Sequence, residues 1–219
     1  MPLFVLSDRL FFPDADQADR EGLLAIGGDL SVERLLLAYR SGIFPWTVDP
    51  ITWWSPQPRA ILEFGNFHAS TSLKKLLHRQ QFTFTLNQAF AQVMEGCAAT
   101  RPNRRETWIT PEFIEAYTQL HRRGWAQSLE CWQDGVLAGG IYGVSIGGFF
   151  AGESMFYRVS NASKVALFQL VEHLEQRGYE LFDLQMLTTI TRQLGGVNIA
   201  RQDYLQRLRK ALEKPCNFA

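Results

Sequence analysis

Cysteine is scarce and scattered in this chain. Cys97, Cys131 and Cys216 form no CxxC and no Cys/His pattern, so neither a disulfide framework nor a zinc site is expected, and a reducing compartment fits. An excess of one charge is also missing. Lys+Arg and Asp+Glu both number 22, which removes the bulk-charge signature of a polyanion binder, and any contact with nucleic acid must come from a local patch. The longest uncharged run, Val136 to Gly152, is broken by glycines and carries Tyr142 and Ser145, which suits two strands of a hairpin and not a membrane span. The opening residues lack a basic segment and Asp8 and Arg9 interrupt their apolar run, so no signal peptide is expected and the cytoplasm is the expected compartment. The sequence also has no internal repeat and no low-complexity tract.

The chain has 219 residues, enough to bury a sizeable core and to form a main domain with a smaller one. Leu23 to Asp29 ends in a Gly27-Gly28-Asp29 turn without phosphate-loop context, and Ser31 then caps a helix with Val32, Leu35, Leu36 and Tyr39 on one face. Gly42 to Arg59 combines four prolines with three tryptophans and shows neither period, so it reads as a rigid loop that packs on, or lines, something. The expected domains are therefore a small N-terminal one over residues 1–60 and a main one over residues 61–219.

In the main domain an amphipathic helix over 69–79 directs Lys74, Lys75, His78 and Arg79 outward. A strand at 82–86 and a helix after Asn87 follow. Thr110 and Pro111 then open a helix with Phe113, Ile114, Tyr117 and Leu120 on its inner face. Three strands, 127–133, 136–146 and 149–156, are joined by Asp134-Gly135 and Gly147-Gly148 turns. A helix starting at Asn161, a strand at 180–187, a short helical piece at 189–194 and a helix over 202–212 complete the chain.

The order β-α-α-β-β-β-α-β-α resembles the acyltransferase fold of Gcn5-related N-acetyltransferases (GNAT), an α/β (α+β) fold in which two parallel strands splay apart around the acyl donor. The strands flanking that gap would be the one with Glu153 and the one with Asp183. Glu153 sits among aromatics where a carboxylate is costly unless it meets a cation or hydrogen-bond donors. It is either a ligand-holding group at a strand-to-helix junction or the solvated Glu of a surface turn. The junction that would cradle coenzyme A pyrophosphate, Tyr157 to Lys164, has no glycine, which argues against acetyl-CoA as donor.

From Gly22 onward the stretches GLLAIGGDLSVERLLLAYRSGIFPW, WWSPQPRA, TWIT, YGVSIGGFFAGESMF, NASKVAL and FDLQML resemble the leucyl/phenylalanyl-tRNA–protein transferase family. The combination of GIFPW, WWSPQPR and GESMF is specific. The resemblance implies transfer of Leu or Phe, sometimes Met, from aminoacyl-tRNA to proteins beginning with Arg or Lys, which marks them for N-end-rule degradation. It implies no cofactor, no metal and no membrane partner, and a monomer is expected.

Such chemistry needs no covalent nucleophile, because the ester is already activated: the amine must be placed, its proton removed and the oxyanion stabilised. By resemblance, Asp183 and Gln185 are the catalytic pair. Strand alternation puts both on one face, Asp183 polarising Gln185, which either accepts the amine's proton or only orients the amine. A buried Asp–Gln pair stitching the sheet is the plainer account. Glu153 would hold the donor's amino group, its ribose hydroxyls or the incoming ammonium. Trp46 and Trp108 would stack on the terminal adenosine, with Tyr39 closing the site, although each is equally a packing residue. Ile141, Phe150, Leu167, Leu170 and Phe182 are the expected walls of the donor side-chain pocket, and otherwise ordinary core.

Thr188 lies in the departing segment, where Ile190 stands at a position that is His in many relatives. The acceptor stem would meet Lys74 and Lys75, or the loop carrying Arg101, Arg104 and Arg105. Two other activities compete: CoA-dependent N-acetyl transfer, and a non-catalytic adaptor for RNA or basic N-termini.

Overall fold

The computed structural model describes residues 3–99 and 107–219, and their strands form two sheets. The smaller contains β1 (Phe4–Leu6), β2 (Leu23–Gly27), β3 (Phe44–Val48) and β4 (Ile51–Trp54), ordered β1-β2-β4-β3 in space. Its core side is closed by α1 (Val32–Arg40), whose N-cap Ser31 accepts a hydrogen bond from the Arg34 N–H at 3.3 Å.

The segment read from sequence as a loop without period is thus largely a hairpin, β3 against β4. Its alternation is hidden for a physical reason. A register shift at Pro45/Thr47 leaves Trp46 as an extra residue on β3, so apolar side chains there no longer recur every second position. Pro45 is tolerated because β3 is an edge strand. Trp53 is fully buried edge-on to Phe12, with its indole N–H donating to the Gly27 carbonyl at 2.8 Å.

The larger sheet has seven strands among the described residues. Its centre is the antiparallel meander β7 (Ala126–Gln133), β8 (Val136–Ile146) and β9 (Phe149–Tyr157), with β6 (Thr83–Leu86) on its outer edge. After β9 the chain passes through α5 (Ala162–Gln176) and returns as β10 (Leu181–Gln185), parallel to β9. β5 (Arg59–Leu62) and β11 (Gly196–Ile199) extend the sheet beyond β10, both pairings antiparallel. The strands and helices from β6 to β10 follow the order read from the sequence, whereas β5 and β11 are two further strands that it does not contain.

One face of this sheet packs on α2 (Thr71–His78) and α5; the other packs on α3 (Phe90–Ala98), α4 (Pro111–Arg122), the small sheet with α1, and α7 (Arg201–Leu212). The short α6 (Thr189–Gln193) follows β10. α5 starts after Asn161 as expected, with Asn161 in left-handed backbone (φ 67°) and its side chain making no cap. Among the described residues, no helix is long and apolar enough to cross a membrane.

The middle of β8 tolerates no side chain at Gly143. A Cβ there would stand 2.2 Å from the Ala151 carbonyl oxygen and 2.6 Å from the Phe150 ring. Gly143→Ala is expected to lower stability by about 2–3 kcal/mol, because backbone of the neighbouring strand must move. A calorimetric melt that leaves the midpoint unchanged would count against this packing.

Candidate active site

β9 and β10 pair only as far as Asp183↔Ala151. Beyond that pair each strand carries a bulge. On β9, Tyr142 faces Ser154 while Gly143 faces Gly152, leaving Glu153 as the extra residue; on β10, Ile61 faces Asp183 while Ala60 faces Gln185, leaving Leu184 as the extra one. A bulge re-aims the side chains beside it, and two on adjacent strands turn Glu153 and Gln185 toward each other. Gln185 has φ 62°, a left-handed backbone that few side chains adopt, and its Nε2 donates to Glu153 Oε1 at 2.7 Å.

Glu153 collects further donors from helices far away in sequence. The Tyr39 hydroxyl on α1 donates to Oε1 at 2.8 Å, the Tyr117 hydroxyl on α4 donates to Oε2 at 3.2 Å, and the two phenols touch each other. Burial is the main influence on the carboxyl and pushes its pKa up to about 7; the nearby Asp183 charge adds to this, while the phenol hydrogen bonds and the Arg59 charge pull the other way. Both phenols are held well above the ordinary value, first by burial and then by the charge of Glu153.

This carboxylate forms the wall of a cavity of about 270 Å³. Phe44, Trp46 and Trp108 supply its aromatic side, Gln185 and Thr188 its other polar groups, and Leu184 and Met186 an apolar lip. Trp46 leans edge-on against Trp54 at 5.1 Å and Trp108 against Phe113 at 5.2 Å, so each indole is braced from behind. Larger surface cavities of about 590 and 610 Å³ exist elsewhere, but neither contains a side chain with a comparably perturbed carboxyl. Convergent polar groups and shifted ionisation mark the smaller one as the candidate.

Of the residues singled out in the sequence, Trp46, Trp108, Glu153, Gln185 and Thr188 line this one cavity, with Tyr39 directly behind Glu153. The Thr188 oxygen also accepts from the Thr191 N–H at 3.1 Å and caps α6. Asp183 is placed differently from expectation. It is fully buried under the sheet, ion-paired to Arg59 at 2.6 Å, and meets Gln185 through the main chain: the Gln185 N–H donates to Asp183 Oδ1 at 2.8 Å. Both side chains do lie on the face expected from alternation, opposite Phe182 and Leu184, and the bulge between them changes only how they meet.

Ile141, Phe150, Leu167, Leu170 and Phe182 are gathered in a single cluster on the α5 side of the sheet, where none exceeds 5% exposure, and they do not line the 270 Å³ cavity. Lys74 and Lys75 are exposed on α2, and Lys75 adjoins Arg79 and Lys164 around a separate cavity of about 310 Å³. Arg101, Arg104 and Arg105 lie outside the described residues.

Two members of the centre escaped the sequence reading as functional residues, Tyr117 and Arg59. Tyr117 falls on the apolar stripe of α4, and a phenol in a buried stripe needs a partner for its hydroxyl, which was the available signal. Arg59, beside Ala60-Ile61-Leu62, offered a similar one, since a cation in an apolar strand must be paired. Among the described residues, no group of three or more His, Cys, Asp or Glu side chains is arranged to hold a metal ion. Chemically, the cavity offers a carboxyl that changes charge near neutrality beside an amide whose oxygen is left to accept a hydrogen bond, between two aromatic faces.

The profile of the family described as leucyl/phenylalanyl-tRNA protein transferase matches residues 61–209, and that of its N-terminal domain matches residues 28–57. The leucyl/phenylalanyl-tRNA–protein transferase of Desulfatibacillum aliphaticivorans is 52% identical over 218 residues, covering 98% of this chain and 94% of its own. That of Desulforapulum autotrophicum is 48% identical over 217 residues, covering 98% and 95%. Among solved structures, a GCN5-related N-acetyltransferase from Kribbella flavida matches with a TM-score of 0.42 at 13% identity, over 75% of this chain and 60% of that one.

Proposed function

The chain belongs to the leucyl/phenylalanyl-tRNA–protein transferase family, and we propose that its Glu153–Gln185 cavity is where the aminoacyl ester of a Leu- or Phe-charged tRNA meets the α-amino group of a protein beginning with Arg or Lys. The observation that carries this reading is the contact between a carboxyl of near-neutral pKa and the Gln185 amide, inside a cavity walled by two tryptophans. In the reaction the amine nitrogen bonds to the ester carbon and the bond from that carbon to the ribose oxygen breaks. The amine gives up one proton and the departing ribose oxygen takes one.

Ionised Glu153 holds the incoming ammonium and takes its proton, and the Gln185 oxygen accepts a hydrogen bond that points the freed nitrogen at the ester. Tyr39 and Tyr117 keep the carboxylate in place by donating to it. Trp46 and Trp108 take the terminal adenosine between them. Ile141, Phe150, Leu167, Leu170 and Phe182 receive the donor side chain, which requires the cluster they form to open. Lys74 and Lys75 take tRNA phosphates, together with the loop of Arg101, Arg104 and Arg105, so binding weakens with salt. We further assign residues 1–60 to a small domain that supplies Tyr39 and Trp46, its last two residues already opening β5 of the larger sheet, and residues 61–219 to the transferase domain, with a monomer as the active unit in the cytoplasm. The product carries an N-end-rule mark.

The test is incubation with Leu-tRNA and an acceptor whose first residue is Arg. Transfer is expected, and its absence, with the same RNA active in a relative, overturns the reading. The pH profile adds a sharper one. Protonated Glu153 cannot hold an ammonium, so kcat/KM is expected to fall as pH drops through about 7. The acceptor amine titrates as well, at about 7.7–8.0. The limb near 7 is expected to vanish in Glu153→Gln, whereas the limb from the amine persists in both enzymes.

A further inference from the structure

We propose that Arg59 and Tyr204, neither of which lines the cavity, are positioning residues for aminoacyl transfer, acting on Gln185 through the main chain of the β10 bulge. The proposal rests on the reading of the Glu153–Gln185 cavity as the aminoacyl-transfer centre. It departs from the idea that Asp183 polarises the Gln185 side chain, because their contact runs through the Gln185 N–H.

Three other chain segments meet on the Arg59 guanidinium. Nε donates to Asp183 Oδ1 at 2.9 Å and Nη2 to Oδ2 at 2.6 Å, a two-point fork that fixes the plane of the carboxylate. Nη1 donates to the Gly42 carbonyl at 3.1 Å, just ahead of the strand that carries Trp46. The Tyr204 hydroxyl on α7 accepts from Nη2 at 3.3 Å and donates to Asp183 Oδ2 at 2.9 Å. The cation itself lies between the Phe44 ring at 4.8 Å and the Tyr204 ring at 4.4 Å. The Arg59 and Asp183 side chains are 1% and 0% exposed.

The consequence is mechanical. Asp183 Oδ1 is shared between the Arg59 fork and the Gln185 N–H, so the carboxylate that the fork immobilises also holds Gln185 in its left-handed conformation. From there the side chain reaches Glu153. A lysine at 59 keeps the charge but loses the fork, and a phenylalanine at 204 keeps the ring but loses the hydroxyl that completes Oδ2. Either change loosens Asp183, then the bulge, then the aim of the Gln185 amide. The same guanidinium also ties the bulge to Gly42, where a Cβ would strike Leu205 at 2.5 Å and Tyr204 at 3.1 Å, so the wall bearing Trp46 is held in register with the bulge.

The experiment is a kinetic double-mutant cycle on the full chain, using single-turnover transfer from Leu-tRNA to an Arg-initiated peptide. Tyr204→Phe and Arg59→Lys are each made in the native and in the Gln185→Ala background. In the native background both are expected to lower the transfer rate about 10- to 100-fold with donor affinity changed less than about twofold, since misplacement of an oriented group costs this much. In the Gln185→Ala background the further loss is expected to shrink to about twofold or less, the sign of coupled positions. Equal factors in both backgrounds, or a native-background rate that Tyr204→Phe leaves unchanged, overturn the positioning role while leaving the site reading intact. A Gln185→Ala enzyme as fast as the parent overturns the site reading itself. If Arg59→Lys does not fold, Tyr204→Phe carries the cycle alone.

Discussion

Glu153→Gln is expected to lose at least about 100-fold in transfer rate and to melt higher than the parent at pH 8. The first half follows from the chemistry. Glutamine at this position neither balances an ammonium nor accepts its proton, and removal of a positioned acid–base group typically costs about 10²–10⁴-fold. The second half follows from linkage. The folded carboxyl has its pKa raised from 4.5 to about 7, so the fold favours the protonated form, the stability from this preference is fully present below pH 4.5, and it is lost as pH rises through about 7. At pH 8 the native protein therefore carries an ionised carboxylate in a poorly solvated wall, at a cost on the order of 1–3 kcal/mol. Glutamine keeps the shape and can still meet the Tyr39 and Tyr117 hydroxyls, which rotate to suit it. A rise in melting temperature of about 2–12 °C is expected at pH 8 for a chain of this size, shrinking toward zero at pH 5. A variant that is inactive yet less stable at pH 8 would mean that the glutamate is a structural anchor, and the transfer reading would lose its central group.

That trade of stability for a poised charge explains which parts of the site were legible in the sequence. The meander β7–β8–β9 was readable because Asp134-Gly135 and Gly147-Gly148 are turns with a local mechanism, and α4 because Thr110-Pro111 and its apolar stripe are local too. Glu153 could be suspected from its aromatic neighbours alone. Its partners could not, since Tyr39 stands 114 residues away and Arg59 stands 124 residues from Asp183, and no pattern of period two or 3.6 encodes such pairs. Alternation placed Asp183 and Gln185 on one face, opposite Phe182 and Leu184, but could not show that they meet through the Gln185 N–H. A bulge adds one residue and re-aims the groups beside it, and only the strand pairing reveals where this happens. Bulges concentrate beside the functional centre, so the sequence reading failed most where the strands are bent to do chemistry.

Trp46→Ala and Trp108→Ala are each expected to weaken binding of the charged tRNA by about 5- to 150-fold, the equivalent of about 1–3 kcal/mol for one base on one aromatic face. Both indoles border the same cavity and each is supported on its far side by another aromatic, Trp54 behind Trp46 and Phe113 behind Trp108. Such bracing leaves the ring pre-organised, so little ordering entropy opposes a base that enters. The loss should therefore appear in donor affinity, with the rate at saturating donor changed much less, because the Glu153–Gln185 hydrogen bond that the chemistry uses is made without either indole. Phenylalanine at either position keeps a stacking face and should recover most of the affinity. Two controls separate this from general damage. Melting temperature should fall only modestly, since both tryptophans are only partly buried, and affinity for an RNA lacking its 3′ terminal adenosine should be the same in parent and variant. If the variants instead bind that shortened RNA as poorly as the full one relative to the parent, the indoles brace the wall and do not hold the base, and the terminal nucleotide must enter along the Leu184–Met186 lip.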